Sequence, residues 1–309
     1  TTIPWPKMTL KQSIKKSAPA PVLFILKRLY QYWLRLNDWC SVALEVRGES
    51  AGDTARIWAS ILCAPVTSLH RLGRWGYPML LFDARVRVLG DLHFTCRAFT
   101  DQLFQVTPSA QKDVTDVLRK QLSAGDTFID AGANIGFFTV LAARIVGTSG
   151  RVLSVEMMPD TAATLRRHVE LNNLGNVTIV ENALSDRSGE TLTARQPAGS
   201  AGQASVAATP VEGEAYVERH VRTTTLDELS SNLDTIALVK VDLEGHEEAA
   251  FNGGQSMLRR AKAVIFEYWP EDIRAERAAA LLRGLGFNTD RRYSYNVLAV
   301  RPQVEALQA

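Results

Sequence analysis

A short apolar strand that runs directly into a glycine turn is the feature that most constrains the fold of this chain. Residues 125–136 read G-D-T-F-I-D-A-G-A-N-I-G. The run Thr127-Phe128-Ile129 is typical of a buried parallel strand, and residues 137–145 are typical of a helix. Glycines at such a turn let the backbone approach a ligand that a Cβ would exclude. The strand, turn and helix together predict a nucleotide-binding element.

The acid at the end of this strand helps to choose between ligands. A dinucleotide loop reads G-x-G-x-x-G and places a pyrophosphate at the helix N-terminus, whereas this turn reads D-x-G-x-N-x-G. Asp130 would repel phosphate but suits an ammonium or sulfonium group, which favours S-adenosylmethionine (SAM) over NAD. Glu156 ends the next strand, residues 151–155, at about the spacing where an acid meets ribose hydroxyls. The alternatives are an ordinary tight turn and a solvated acid at a strand end.

Strands and helices alternate through the rest of the chain, which predicts an α/β, Rossmann-like sheet covered on both faces. We expect helices at 109–122, 160–174 (with Asp160 as N-cap), 247–258 and 276–285, and strands at 177–180, 189–193, 236–241, 263–267, 292–293 and 296–300. Residues 195–217 lack a clear period and predict a long loop. Ligands bind at the carboxyl ends of parallel strands. One rim should therefore hold Asp130, Glu156, Asn182, Asp242 and Glu267.

The N-terminal part predicts two helices followed by a hairpin. Residues 22–40 form a helix with a polar stripe inside an apolar surface, and residues 51–72 form a second helix that Pro65 breaks or redirects. Strands at 82–89 and 92–97 flank a Gly90-Asp91 turn. We divide the chain into residues 1–80, an arm and helical extension, and residues 81–309, a domain that includes the hairpin.

Charge and cysteine content limit the partners. Residues 1–40 hold seven Lys or Arg and one acid, whereas the net charge of the whole chain is +2, so no nucleic-acid footprint covers the molecule. Three cysteines without a C-x-x-C pattern predict reduced thiols in a cytoplasmic protein. We expect neither a cleaved signal peptide nor a membrane-spanning stretch. The apolar face of helix 22–40 would pack on its own domain, on a second copy in a homodimer, or on the inner face of the membrane as a peripheral contact.

A second cluster of charge follows a later strand. Residues 239–248 read V-K-V-D-L-E-G-H-E-E. Like charges crowded together raise carboxyl pKa values. Gly245 permits a sharp turn before a helix, and Glu247 and Glu248 suit the first turn of that helix.

The chain resembles the FkbM family of methyltransferases over about residues 81–300. The resemblance rests on the stretch at 125–136, T-T-L-D-E-L at 224–229 and K-V-D-L-E-G-H-E at 240–247, with support from V-E-N-A-L-S-D at 180–186 and V-I-F-E at 264–267. It implies a class I methyltransferase sheet of seven strands with the last one antiparallel. It also implies SAM as methyl donor, S-adenosylhomocysteine as product, and O-methylation of hydroxyls.

The resemblance further implies roles for single residues. Asp130, Gly132, Ala133, Asn134 and Gly136 would line the methionine and ribose side, Glu156 would hold the ribose diol, and Asn182 and Ala183 would border the adenine. Relatives commonly carry Pro-Asn-Pro where this chain has Met157-Met158-Pro159. Pro159 keeps the turn, and the two methionines would pack against the adenine.

Four residues are candidates for catalysis: Asp242, Glu244, His246 and Glu267. His246 would be the base that activates a hydroxyl, since its unperturbed pKa of about 6.5 lies near neutral pH, or it would only start a helix or orient a neighbour. Asp242 and Glu244 are the alternative bases. Mg²⁺ held by Asp242, Glu244 and Glu267 is an alternative, but no spacing demands a metal and we predict none.

We therefore predict an O-methyltransferase that acts on a hydroxyl of a sugar, glycan, glycolipid or polyketide-type natural product, with no nucleic-acid partner. The alternatives are a nicotinamide-dependent oxidoreductase on a similar sheet and a non-catalytic SAM-binding scaffold. The loop at 195–217 is expected to cover the acceptor site and to order on binding.

Overall fold

Alternating strands and helices fill the part of the chain that the computed structural model describes, residues 20–70, 77–198, 200–207, 215–269 and 271–302. The helices are α1 Ala20–Glu45, α2 Ala51–His70, α3 Gln102–Val106, α4 Lys112–Gln121, α5 Phe137–Val146, α6 Pro159–Leu171, α7 Leu226–Leu229, α8 Glu247–Asn252, α9 Gln255–Arg260 and α10 Ile273–Gly284. The strands are β1 Arg47–Gly48, β2 Ala84–Val88, β3 Leu92–Cys96, β4 Thr127–Ala131, β5 Arg151–Val155, β6 Val177–Val180, β7 Ala183–Leu184, β8 Thr191–Pro197, β9 Tyr216–Thr224, β10 Ile236–Val241, β11 Ala261–Glu267, β12 Asn288–Tyr293 and β13 Asn296–Val300.

The central sheet has seven strands in the order β12-β13-β11-β10-β4-β5-β6. The pairs from β11 to β6 are parallel, and β13 runs antiparallel to both β11 and β12. All six residues of β10 are buried, as expected for a parallel strand covered on both faces. The prediction of an α/β, Rossmann-like sheet that ends in an antiparallel strand is confirmed.

Neighbouring residues of each central strand serve opposite faces of the sheet. Phe128 of β4 belongs to one apolar cluster, and Ile129 belongs to the other. This follows from the two-residue period of a strand. Trp39 of α1 and Ile57 of α2 lie in the same cluster as Phe128. The division of the chain at residue 80 stays a prediction.

The two N-terminal helices and the hairpin largely match the sequence. Strands β1, β2 and β3 form a small antiparallel sheet, which confirms the hairpin. The predicted break at Pro65 is wrong, because α2 continues through it to His70. Proline removes one backbone hydrogen bond, and buried residues on both sides, Ala64 and Ser68, hold the helix in place. Leu72, the predicted end, lies outside the described residues.

The apolar face of α1 does not pack on the body of the molecule. Leu26, Leu29 and Trp33 are exposed, whereas Arg35 and Trp39 are buried. This contradicts the expectation that the apolar face covers its own domain. Within the described residues, no helix is long and apolar enough to span a bilayer.

The segment after β7 holds more regular structure than predicted. Strands β8 and β9 pair along their lengths, and β9 also pairs with β7. The expectation of a loop is therefore wrong for residues 195–197 and 216–217, and residues 201–203 form a turn of 3₁₀ helix. The charged run E-R-H at 218–220 concealed the strand pattern of β9. Residues 199 and 208–214 lie outside the described residues.

Two helix boundaries also differ. The predicted helix at 247–258 is divided into α8 and α9 at Gly253-Gly254, because glycine is unfavourable inside a helix. Position 253 also requires glycine, since a Cβ there would lie 2.1 Å from the carbonyl oxygen of Ser185. Asp160 is not the N-cap of α6. Met158 holds that position and Asp160 lies in the first turn, where a negative charge suits the helix dipole.

Candidate active site

The carboxyl ends of β4, β5, β10 and β11 border one cleft, which encloses about 1010 Å³ of empty space including a part open to solvent. Strand pairing brings together residues that are far apart in the sequence. The predicted site residues that line the cleft are Gly132, Ala133, Asn134, Gly136, Glu156, Asn182, Ala183, Asp242, Glu244, His246 and Glu267.

The glycine turn is built by close contact between backbone segments. Gly132 and Gly136 have φ of 79° and 92°, in the left-handed region that favours glycine. A Cβ on Gly132 would lie 1.9 Å from the carbonyl oxygen of Asp242, and one on Gly136 would lie 2.3 Å from a methyl carbon of Leu165. Protein atoms, rather than a ligand, thus exclude the Cβ atoms, which corrects the first interpretation of these glycines.

Glu156 fixes the turn from the neighbouring strand. The backbone N–H of Asn134 donates to Glu156 Oε2 at 2.9 Å, and the N–H of Met158 donates to Oε1 at 2.8 Å. Burial raises the pKa of Glu156 to about 7, although both hydrogen bonds act in the opposite direction. Each carboxylate oxygen can accept a second hydrogen bond, so Glu156 can hold the turn and a ligand hydroxyl together.

Asp130 lies behind the wall of the cleft. Its side chain is fully buried, and Thr139 Oγ1 donates to Asp130 Oδ2 at 2.7 Å. Lys240 Nζ lies 3.6 Å from Asp130 Oδ1. Burial raises the pKa of Asp130, and the charge of Lys240 opposes that shift. This placement corrects the expectation that Asp130 contacts the ligand, because its carboxylate partners Lys240 instead.

Lys240 is a charged cleft residue that the sequence analysis missed. Its Nζ donates to the carbonyl oxygen of Gly132 at 2.9 Å and lies 3.3 Å from Asp242 Oδ2. Burial alone would lower the pKa of Lys240, but the charges of Asp242 and Asp130 outweigh it and the pKa is raised. The cation is therefore retained inside the protein. A lysine within the apolar run I-A-L-V-K-V was the signal that could have identified it.

Carboxyl groups also crowd the part of the cleft formed by Asp242, Glu244 and Glu267. Burial, followed by the charges of Asp242 and Glu267, raises the pKa of Glu244. Burial and then the charge of Asp242 likewise raise the pKa of Glu267. Glu244 also has φ of 50°, an uncommon conformation for a residue with a side chain. Charge and backbone strain are concentrated in this loop, as they often are at functional sites.

The residues that follow differ in their roles. Glu247 Oε1 accepts the backbone N–H groups of Leu243 at 2.9 Å and of Gly245 at 3.2 Å. Glu247 therefore shapes the loop at the start of α8. Burial lowers the pKa of His246, so its imidazole is neutral at pH 7. Its Nε2 lies 3.4 Å from Ser185 Oγ.

A short segment closes one side of the cleft. Gly202, Ala204 and Val206 line it and belong to the segment at 195–217 that was expected to cover the site, whereas Gln105 and Gln111, which also line it, were not predicted. No local pattern marks them.

Two polar anchors hold this segment. Asp101 Oδ2 accepts from Ser200 Oγ at 2.9 Å and from the N–H of Gly202 at 3.1 Å. Ser205 Oγ donates to the carbonyl oxygen of Glu244 at 2.9 Å. Residues 200–207 thus form a wall of the cleft, in line with the predicted cover. Ordering on binding stays a prediction.

The carboxylates do not form a set of metal ligands. Among the described residues, no three His, Cys, Asp or Glu side chains are placed to hold an ion. Asp242, Glu244 and Glu267 are thus not arranged as the suggested Mg²⁺ site.

Sequence comparison identifies the family. The sequence model of the methyltransferase FkbM domain matches residues 130–289, slightly more than half of the chain. The chain belongs to the FkbM methyltransferase family. The predicted family and the methyltransferase class, with SAM as donor, are thereby confirmed. The match decides against a nicotinamide-dependent oxidoreductase.

More distant similarities cover shorter or more divergent regions. Probable cobalt-precorrin-6B C(15)-methyltransferases from Sulfolobus acidocaldarius and Sulfurisphaera tokodaii are 38% and 36% identical over 63 residues, 20% of this chain and 33% of each relative. The chain thus spans about a third of the length of these curated relatives. A putative rRNA methylase from Clostridium thermocellum is 14% identical, with a TM-score of 0.40 over 60% of this chain and 91% of that one. A SAM-dependent O-methyltransferase from Thermotoga maritima is 15% identical, with a TM-score of 0.39 over 70% and 77%.

Proposed function

We propose that this FkbM methyltransferase transfers a methyl group to a hydroxyl of a sugar, glycan, glycolipid or polyketide-type natural product. One observation carries the proposal. A single cleft is lined both by the glycine turn and Glu156, which we call the donor end, and by Asp242, Glu244, His246 and Glu267, which we call the acceptor end.

The residues of the donor end fit SAM. Glu156 is fixed by two backbone N–H groups and presents a carboxylate suited to ribose hydroxyls. Asn182, Ala183 and Met157 line the same part of the cleft and would border the adenine. SAM, when bound, supplies an electrophilic methyl group on a sulfonium. Asn134 and the backbone of the glycine turn would orient it toward Asp242.

The acceptor end favours a neutral, hydroxyl-bearing molecule. Carboxylates accept hydrogen bonds from hydroxyl groups and repel phosphates. The acidic crowd of Asp242, Glu244 and Glu267 therefore supports a hydroxylated acceptor over a nucleic acid. Burial raises the pKa of Glu267 to about 7, so this group is a stronger base than an ordinary carboxylate and is still partly ionised at neutral pH, which suits proton removal from a hydroxyl.

An aromatic pair beside this cluster supports a ring-shaped acceptor. Trp269 and Tyr295 stack with their ring centroids 4.3 Å apart, and both are exposed. Trp269 also hydrogen-bonds to Glu267, which lines the cleft. Ligand sites commonly combine aromatic faces with a few polar groups that fix orientation. The apolar face of a sugar or macrocycle would pack on this pair while its hydroxyl reaches Glu267.

Two residues are the leading candidates for the base. His246 is neutral at pH 7 because burial lowers its pKa, so it can accept a proton. Glu267 has a raised pKa and lies at the carboxyl end of β11. Either would take the hydroxyl proton as the acceptor oxygen bonds to the methyl carbon. Asp242 and Glu244 would orient the acceptor.

The test separates binding from turnover. SAM affinity is measured by calorimetry, and methyl transfer from labelled SAM is measured over a panel of glycans, glycolipids and macrocycles. We expect Glu267→Gln or His246→Ala, whichever removes the base, to lower turnover by roughly 10²–10⁴-fold with SAM affinity nearly unchanged. The matched control is Glu248→Gln, an acid of the same loop-to-helix segment that does not line the cleft.

The opposite pattern is expected at the donor end. Asn182→Ala should weaken SAM binding but leave the turnover rate at saturating SAM nearly unchanged. If Asp242→Asn, Glu244→Gln, His246→Ala and Glu267→Gln all turn over normally, the acceptor end is wrongly assigned. SAM binding with no transfer to any hydroxylated compound would favour the non-catalytic alternative.

A further inference from the structure

The N-terminal half of helix α1 leaves its large apolar side chains uncovered. Leu26, Leu29 and Trp33 are among those exposed, and the exposed fraction of Leu29 is 58%. Trp39 and Val42, nearer the C-terminal end of α1, are buried. An ordinary surface helix turns its apolar stripe to the core, so the uncovered side chains lack the usual partner within the described residues.

Helix α2 repeats the arrangement independently. Trp58, Leu62, Val66 and Leu69 recur at helical spacing and are all exposed, with Leu62 76% exposed. The opposite side of α2, which includes Ile57, is buried. We name the exposed apolar surface of both helices the outer helical face; it comprises Val22, Leu26, Leu29, Trp33, Trp58, Leu62, Val66 and Leu69. Eight large apolar side chains exposed on two helices that pack together mark an interaction surface.

The charge near this face indicates its partner. Residues 20–37 contain Lys27, Arg28 and the buried Arg35 but no Asp or Glu. Lys27 and Arg28 lie within α1, and the Arg28 guanidinium lies over the Phe24 ring at 5.0 Å from the ring centroid. Leucine and tryptophan beside lysine and arginine are the composition of helices that lie in the interface of an anionic bilayer.

We propose that the outer helical face binds the surface of an anionic lipid bilayer. The apolar side chains would enter the boundary between headgroups and acyl chains, while Lys27 and Arg28 contact anionic headgroups. A second copy of the chain fits less well, because a symmetric contact would bring together two surfaces of the same positive charge. This inference goes beyond methyl transfer and does not depend on it.

The experiment is flotation of the full chain with vesicles. Vesicles of equimolar phosphatidylcholine and phosphatidylglycerol are compared with vesicles of phosphatidylcholine alone. We expect strong binding to the anionic vesicles that weakens at high salt. Leu29→Glu should reduce the affinity roughly tenfold or more, because it removes one large apolar side chain from the contact and adds a repelled charge.

The matched control is Ile273→Glu, which places the same charge on an aliphatic residue that is 66% exposed but lies outside the outer helical face. This variant should bind vesicles like the wild type. Leu62→Glu repeats the test on α2 in case Leu29→Glu disturbs folding, which circular dichroism and SAM affinity would reveal. Wild-type protein that does not float with anionic vesicles would overturn the proposal. So would equal losses in Leu29→Glu and Ile273→Glu, or a dimer that Leu29→Glu dissociates without any vesicle binding.

Discussion

The two ends of the cleft hold their buried carboxyl groups in different ways. At the donor end, two backbone N–H groups bind the oxygens of Glu156. At the acceptor end, Glu244 and Glu267 face the charge of Asp242, and burial raises the pKa of both. Backbone hydrogen bonds at the donor end thus partly offset the burial of Glu156, whereas like charge at the acceptor end adds to burial and favours the protonated forms of Glu244 and Glu267. This contrast is expected where one end positions a ligand and the other performs acid–base chemistry.

The largest loss of stability should come from a substitution at Gly132, where the glycine turn of the donor end packs against Asp242 of the acceptor end. Gly132→Ala would place a Cβ 1.9 Å from the carbonyl oxygen of Asp242, at a φ of 79°. Backbone cannot move aside as a flexible side chain can, so we expect at least about 4 kcal/mol of lost stability or failure to fold. Urea unfolding measures the loss.

Gly90→Ala is the control for this variant. Gly90 has φ of 90°, and a Cβ there would meet nothing within 4 Å. Only the backbone conformation is penalised, at about 1–2 kcal/mol. Similar losses of stability for Gly132→Ala and Gly90→Ala would show that the close contact between Gly132 and Asp242 does not hold the two ends together.

The second-largest loss of stability should come from removing the positive charge of Lys240, which contacts residues of both ends. Lys240→Met would leave Asp130 buried without its positive partner and remove the contact with Asp242. We expect a loss of about 3–5 kcal/mol.

Adding Asp130→Asn should recover much of that loss, because the double variant no longer buries an isolated charge. A double-mutant cycle from unfolding free energies gives the coupling energy. Strictly additive losses would mean that Asp130 and Lys240 do not act as a pair.

The smallest effect is the pH dependence of stability that Glu156 of the donor end contributes. The pKa of Glu156 is raised to about 7 in the folded protein from an ordinary value of 4.5. Between these values the folded state holds a proton that the unfolded state has released, so stability falls as pH rises through this range. The total is at most about 3 kcal/mol.

Glu156→Gln should remove this dependence. The difference in unfolding free energy between wild type and variant should shift in favour of the variant between pH 5 and pH 8, as measured by urea unfolding. Parallel stability profiles would mean that Glu156 is charged throughout. Residues shared by both proteins, including the buried His168, cancel in the comparison.

The parts of the fold that could be predicted are marked by patterns of neighbouring residues in the sequence. Strands β4, β5 and β10 are apolar runs with acids or glycines at their ends, and the acids mark the rim of the sheet. The predictions failed where the deciding contact joins distant residues. Asp101 holds Ser200 and Gly202 about a hundred positions away, and nothing near residue 200 reports that contact.

The misassigned acid illustrates the same limit within the site. The sequence places Asp130 at the end of a strand, which is correct. Whether its carboxylate faces the ligand or the interior depends on Lys240, which comes from another strand of the sheet. The apolar neighbours of Lys240 predicted burial of its strand, but they could not show which acid would neutralise it.

The wall at residues 200–207 has a consequence for the diversity of acceptors. It is attached to Asp101 on one side and to the Glu244 backbone on the other, whereas the donor end belongs to the sheet. Substitutions at Ala204 and Val206 can therefore reshape the chamber without moving the strands that place the methyl donor. If the proposed function holds, a few side chains of this wall would set which acceptor fits, while the strands that hold the donor stay the same.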